Sequence, residues 1–321
     1  MRYSKQILFE KIGQKGQNKI EKATVGIVGL GATGTNSANL LCRAGVGRLV
    51  LVDRDIVELD NLQRQTLYDE KDVFLPKAIC AREHLWSINP GVEVDAFVDD
   101  LNFENIESIF SLCDLILDCS DNFETRFLIN DFSIKNKIPF IYSGVLGDLG
   151  SVMFFSGISP CFRCVFPIPK ASLETCDNFG IIASAASVIS SLQVTLAIKY
   201  LVGKKVNSDL IYVDVWDSNI SKIMTNTKKD CDCCQKANFE FLSGQTKKQV
   251  IKLCGKDSYH VSGNPVDVGA LYKKLSKTLK VKKSDDVLIL DSDIIFSDGR
   301  AILKAKDEKS AKSKYNKYVS G

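Results

Sequence analysis

Five polar residues have the types that a nucleoside triphosphate site requires: Asp53, Asn61, Arg64, Lys77 and Asp121. One carboxylate can accept hydrogen bonds from ribose hydroxyls, an amide and two cations can bind phosphate oxygens, and a second carboxylate can hold a hard cation. Taken singly, each would be an ordinary surface residue. Together they fall on loops or helix starts expected at one edge of one sheet, and the joint reading is a triphosphate site with a metal.

The glycines leading into this set sharpen it. Gly29, Gly31 and Gly34 form a GxGxxG between the apolar run Val25 to Val28 and a helix-like stretch. Such a turn lets backbone approach a phosphate closely and aims unpaired helix N–H groups at it. A second apolar run, Leu49 to Val52, ends in Asp53. Thus far a dinucleotide and a mononucleotide fit equally. The two cations break the tie, because a nicotinamide-dependent oxidoreductase, the competing enzyme reading, has little use for them.

Eleven cysteines without a secretory pattern point to reduced thiols. Cys161 pairs with Cys164, and Cys231 with Cys234, each at CxxC spacing. Two such knuckles separated by a long insert suit a closed, structural four-thiolate zinc site. The second knuckle reads CDCC, so Cys233 also qualifies as a ligand. Cys176 belongs to neither pair. It precedes a long helix by a few residues, where the helix dipole can activate a thiol, and an inert cysteine is the equal alternative. Cys42, Cys80, Cys113, Cys119 and Cys254 lie in helical or strand patterns and read as core. His84 and His260 show no evident partner, and a helix-face role is expected for both.

The elements that must position these residues follow from periodicity. Residues 1–22 read as an amphipathic arm, with Ile7, Leu8 and Ile12 at helical spacing. A βαβ unit fills 23–53, and a long polar connection from Ile56 to Leu75 carries Asn61 and Arg64. A helix over 78–88 follows Pro76, which puts Lys77 near its start. Strands are expected at 92–98, 115–117 and 140–143, and helices at 103–112 and 123–137. Asp118 and Asp121 then leave the carboxyl end of a strand, the edge on which open α/β sheets bind ligands. Strands at 151–155 and 211–215 flank a run, Asn178 to Ile198, that carries no formal charge and is long enough for a bilayer. Its serines, Thr195 and Gln193 suit a central helix packed within the protein instead.

The fold class expected is α/β: Rossmann-like, with a mainly parallel sheet, an antiparallel extension and a small C-terminal α+β domain. The boundaries are 1–240 for the nucleotide domain and 241–321 for the second, whose DDVLILDSD and DIIFSDGRAILKA read as a hairpin. Six lysines between Lys304 and Lys317 read as a solvated surface helix. A net charge of +3 gives no nucleic-acid signal. The polar, charged opening MRYSKQILFEKIG lacks a leader's apolar core, so a cytoplasmic protein with no membrane association is expected.

At GLGATG, VDRD, NLQRQ, PKA and DCSDN the chain resembles the ThiF, MoeB and HesA family, relatives of the ubiquitin-activating enzymes. The resemblance covers roughly residues 1–240. It implies ATP-dependent adenylation of the C-terminal glycine of a small ubiquitin-like sulfur carrier ending in Gly-Gly, in a homodimer; the C-terminal domain is too short for a rhodanese domain, so the sulfur donor is expected to be a separate protein. By the same similarity Asp53 would hold the ATP ribose, Asn61, Arg64 and Lys77 the phosphates, and Asp121 the magnesium. Cys161, Cys164, Cys231 and Cys234 would ligate zinc, and Cys176 matches the cysteine that some members link to the carrier. Arg64, Lys77, Asp121 and Cys176 are the residues expected in catalysis. The opening RYSKQ resembles the family's RYSRQ, with Lys5 where an arginine reaches the partner subunit's ATP; lysine keeps the charge without the bidentate fork. A scaffold subunit that has lost the chemistry is the remaining alternative, against which the retained Arg64, Lys77 and Asp121 stand.

Overall fold

Period-two alternation along short buried strands gives the first unit of the chain a core on each face of one sheet. Val25, Ile27, Leu49, Leu51, Leu115 and Leu117 face one core, while Val28, Val50, Val52 and Ile116 face the other. The computed structural model describes residues 2–168, 180–244, 250–252, 258–261, 263–283, 287–291 and 293–319. The chain divides into two units near residue 245.

In the first unit, α1 (Ser4–Ile7) and α2 (Gly13–Ile20) precede β1 (Thr24–Val28), α3 (Ala32–Ala44) and β2 (Arg48–Val52). Next come α4 (Lys77–Ile88), β3 (Glu93–Phe97), α5 (Ile106–Phe110), β4 (Leu115–Asp118) and α6 (Phe123–Asn136). The unit closes with β5 (Phe140–Leu146), β6 (Leu149–Phe155), α7 (Phe162–Val165), α8 (Ala183–Leu201), β7 (Leu210–Asp214) and β8 (Asn219–Ile223). The sheet order is β3-β2-β1-β4-β5-β6-β7-β8. Pairing is parallel from β3 through β5 and antiparallel from β5 to β8. Helices α3, α4 and α8 cover one face, and α5, α6 and α7 cover the other.

Several boundaries differ from those the sequence suggests. The N-terminal arm is two helices, and Leu8 is 72% exposed, while the fully buried side chains are Gln17 and Ile20. The helix expected over 103–112 spans only Ile106–Phe110, because Asn102 and Asn105 spend their side chains on the preceding turn. Strand β5 runs on to Leu146, zipped to β6, and β8 is an additional edge strand.

Helix α8, whose one charged residue is Lys199 in the last turn, is long and apolar enough to cross a membrane. Its polar residues nevertheless find partners inside the protein. Gln193, fully buried, donates from Nε2 to Ile141 O (2.8 Å) and Asp118 O (3.1 Å), and its Oε1 accepts from Ser37 Oγ at 2.8 Å. Ser190 Oγ donates to Thr33 O at 3.0 Å. Small residues and satisfied polar groups let α8 lie close to α3.

The second unit contains β9 (Val250–Lys252), β10 (Ser258–Val261), α9 (Val268–Leu275), β11 (Val281–Lys283), β12 (Val287–Leu290), β13 (Asp293–Phe296), β14 (Ala301–Lys304) and α10 (Glu308–Val319). Its sheet is antiparallel in the order β11-β12-β13-β14-β10-β9. The lysine-rich tail helix α10 is more than a solvated face. Ala311 and Tyr315 are buried, and Lys314 and Tyr318 both bond the buried Asp293 carboxylate.

Replacing Gln193 with leucine takes the acceptor from the Ser37 hydroxyl and the side-chain donor from Ile141 O in a buried layer, Asp118 O keeping Ser143 Oγ at 3.0 Å. Gln193→Leu is expected to lower the unfolding free energy by about 2–4 kcal/mol, read as an earlier urea transition.

Candidate functional site

The three glycines of the first turn do different jobs. Gly29 has φ +86°, and a Cβ there would meet Cys119 O at 2.8 Å. A Cβ on Gly34 would stand 1.9 Å from Gly29 O, so these two are required by the chain's own close packing. Gly31 alone faces open space, with Gln65 Nε2 the nearest atom at 4.0 Å. It is also the N-cap of α3, with no side chain capping the helix. The first N–H groups of a 13-residue helix and an open glycine thus form a cradle that a phosphate fits.

Asp53 holds this turn. Its buried carboxylate accepts from Leu30 N at 2.6 Å and from Asp55 N at 2.7 Å. Burial pushes its pKa above the ordinary carboxylate value, and Lys77 pulls against that. Lys77 opens α4 after Pro76; its side chain is 8% exposed, and Nζ lies 3.8 Å from Asp55 Oδ2. Tyr68 Oη, 3.1 Å from Leu30 O and 3.2 Å from Lys77 O, pins the glycine turn to the start of α4.

Asn61 and Arg64 sit on the connection between β2 and α4. Asn61 is buried at the end of a 3₁₀ turn, with Oδ1 accepting from Glu58 N (3.3 Å) and Nδ2 donating to Asp60 Oδ1 (2.9 Å). Arg64 Nη1 donates to Asp60 O at 2.8 Å, which fixes the stem and leaves its other donors. The far end of the connection is anchored by His84, whose Nε2 lies 2.7 Å from Asp72 Oδ2. His84 therefore has a partner that its sequence context did not reveal.

The two carboxylates after β4 separate cleanly. Asp118 is fully buried, with Oδ1 accepting from Ser120 N and Oγ at 3.0 and 2.6 Å. Burial pushes its pKa up, and Arg126 opposes the shift. Asp121 is exposed, with Asn122 Nδ2 3.4 Å from its Oδ1, and its oxygens suit a hard cation. Arg126 holds the loop between them, donating from Nη2 to Ser120 O at 2.7 Å and resting over the rings of Tyr142 and Phe123. Asn122 caps α6 through Thr125 N at 2.8 Å. Arg54 was not singled out in the sequence, although a cation directly after a ribose-type carboxylate is a usable signal. Burial would lower its pKa, but Asp100, Asp55 and Asp121 outweigh it and keep Arg54 charged.

The thiols of Cys161, Cys164, Cys231 and Cys234 converge. Sγ separations are 3.8 Å for 161–164 and 3.5 Å for both 161–231 and 164–234. Sulfurs on a tetrahedron with bonds of about 2.3 Å stand roughly 3.8 Å apart, so the four thiols fit a zinc ion. Cys233 lies beside the four: its Sγ accepts from Asn130 Nδ2 at 3.2 Å, and it bonds both the Asp131 carboxylate and the Cys161 thiol. Asn130 Oδ1 also accepts from Phe162 N at 2.8 Å, joining both knuckles to α6. Lys5 is exposed on α1, and Cys176 and Cys254 lie outside the described residues.

The ThiF family model matches residues 3–235. The chain is 37% identical over 332 aligned positions, 99% of each chain, to the sulfur carrier protein ThiS adenylyltransferase of Bacillus subtilis. It is 34% identical to the sulfur carrier protein adenylyltransferase of Thermus thermophilus, covering 73% of this chain and 90% of the relative. Among solved structures, Escherichia coli MccB superposes with a TM-score of 0.64 at 21% identity, covering 73% of this chain and 72% of that one. That likeness is one of fold.

Burial lifts the thiol pKa of Cys42 to about 11 and those of Cys80, Cys113 and Cys119 to about 12, against an ordinary 9.0. Between the unfolded and folded values the native state binds more protons, so stability falls as pH rises above about 9. Two outcomes are expected: a melting temperature that drops from pH 9 to 11, and protection of these four thiols from iodoacetamide at pH 8.5 until urea is added.

Proposed function

We propose, for a chain that belongs to the ThiF family, that it adenylates the C-terminal glycine of a small ubiquitin-like sulfur-carrier protein and so activates it for sulfur transfer. The observation that carries the reading is the open cradle at Gly31, framed by Asp53 and Lys77, in a chain aligned end to end with a ThiS adenylyltransferase.

The chemistry follows from charge. A C-terminal carboxylate has a pKa near about 3.5 and is already ionised at neutral pH, so its attack on the α-phosphate needs no general base. A carboxylate oxygen bonds to the α-phosphorus, the bond to the bridging oxygen breaks, and pyrophosphate leaves with that electron pair. The barrier lies in bringing two anions together. Lys77 and Arg64 lower it by binding phosphate oxygens, and Asn61 adds an amide donor. Asp53 takes the ribose hydroxyls with the lone pairs that Leu30 and Asp55 leave free. Magnesium, held by Asp121, would supply further charge neutralisation on the leaving pyrophosphate. Cys161, Cys164, Cys231 and Cys234 would hold zinc in a structural role, and Cys176 is the thiol that the family resemblance assigns to the link with the carrier. The sulfur donor is a separate protein, the enzyme works as a homodimer in the cytoplasm, and Lys5 is the residue offered to the partner subunit's ATP. Residues 1–240 form the adenylation domain.

Arg64→Ala and Asp121→Ala are each expected to cut carrier-dependent ATP–pyrophosphate exchange by about 10²-fold or more. Exchange at the wild-type rate in either variant would overturn the assignment. Metal analysis of the purified chain is expected to return about one zinc per chain, with EDTA lowering the melting temperature. A chain that is zinc-free and indifferent to chelation refutes the four-thiolate site.

A further inference from the structure

Arg54 is a charged group at the nucleotide edge to which the reaction above gives no work. It directly follows Asp53 at the end of β2, and its side chain is only 19% exposed. Nη1 donates to Asp100 Oδ1 at 2.8 Å, and Nε lies 3.9 Å from Asp55 Oδ1. Carboxylates engage a guanidinium along its rim, where the N–H groups lie, and leave the faces of the plane for stacking. An arginine with carboxylates at its rim, one hydrogen-bonded to Nη1 and one 3.9 Å from Nε, has part of its charge already paired, which makes it a weaker phosphate ligand.

Connectivity within the nucleotide supplies the rest. The phosphates belong at the open cradle of Gly31, after β1, and the ribose hydroxyls at Asp53, after β2. The base hangs from the ribose on the side away from the triphosphate, one sugar ring from those hydroxyls. That brings it within reach of the residue next to Asp53. We propose that Arg54 is the platform on which the adenine stacks, with Asp100 and Asp55 fixing the plane of its guanidinium. The proposal rests on the adenylation reading and adds a residue that sets affinity for the base without touching the phosphates.

The test is calorimetric binding of ATP, and separately of inorganic tripolyphosphate, to the whole chain and to Arg54→Ala, Arg54→Lys and Arg54→Tyr. A stacked cation predicts that Arg54→Ala weakens ATP about tenfold and leaves tripolyphosphate unchanged. Tyrosine, planar and uncharged, is expected to restore ATP binding to within about threefold, whereas lysine, charged without a plane, does not. Rescue by lysine and not tyrosine, or equal loss for ATP and tripolyphosphate, assigns Arg54 to charge and overturns the platform. If the alanine variant melts early, the lysine and tyrosine variants decide, since each fills the space of the stem. A wild-type chain that binds neither probe sinks the adenylation reading itself. A wild-type chain that binds ATP while the three variants match it sinks the platform alone.

Discussion

A single buried carboxylate holds the nucleotide edge together. Asp53 costs solvation energy where it sits, and it is retained because two backbone N–H groups, from Leu30 and Asp55, reach it. One of those bonds ties down the glycine turn after β1, and the other orders the start of the connection that delivers Asn61, Arg64 and Lys77. Lys77 N donates to Asp55 O at 2.9 Å, so the connection returns to the point it left. Tyr68 closes the loop by bridging Leu30 and Lys77. The cations are therefore set by a short cycle of backbone contacts, and no long side chain has to find its place alone.

Helix α6 links this edge to the thiol cluster. Its N-terminus is capped by Asn122, next to the exposed Asp121, and its second turn uses Arg126 to hold Ser120. Further along, Asn130 ties Phe162 to Cys233, and Asp131 accepts from Phe241 N at 2.9 Å. Asn130 and Asp131 are fully buried, so their hydrogen bonds are obligatory. One rigid element thus has both a phosphate-side carboxylate and the walls of the four-thiol site referred to it. A metal held by the four thiols would fix the loops against which α6 is packed.

How far the sequence could be read depended on how local each signal was. Strand and helix types were legible because burial alternates along β1, β2 and β4 and because Pro76 and Asn122 mark helix starts. The CxxC pairs, separated by about seventy residues, were legible because each pair is itself local and only their meeting is not. The N-terminal arm is helical before β1, as expected, but the face read from Leu8 is not the covered one. Its apolar residues Leu8 and Phe9 stay exposed, and periodicity cannot tell an apolar face that is covered from one that is left open.

The sequence by itself determined the donor set: a carboxylate after one strand, cations on the following connection, a carboxylate after another, and two thiol pairs. Covalent spacing places those groups, and local periodicity puts them on loops. Only tertiary contact decided among equals. Gly31 stays open while Gly29 and Gly34 are closed by backbone packed against them. Asp118 is buried, with Ser120 on one carboxylate oxygen, while Asp121 faces solvent. The thiols of Cys161, Cys164, Cys231 and Cys234 converge, while Cys233 beside them also bonds Asn130 and Asp131. Gln193 turns a membrane-length helix into the core of a sheet. In the last two cases the partners come from elements far apart in the chain, and in all of them the outcome rests on which hydrogen-bonding or packing partner arrives first in space, which no local spacing encodes.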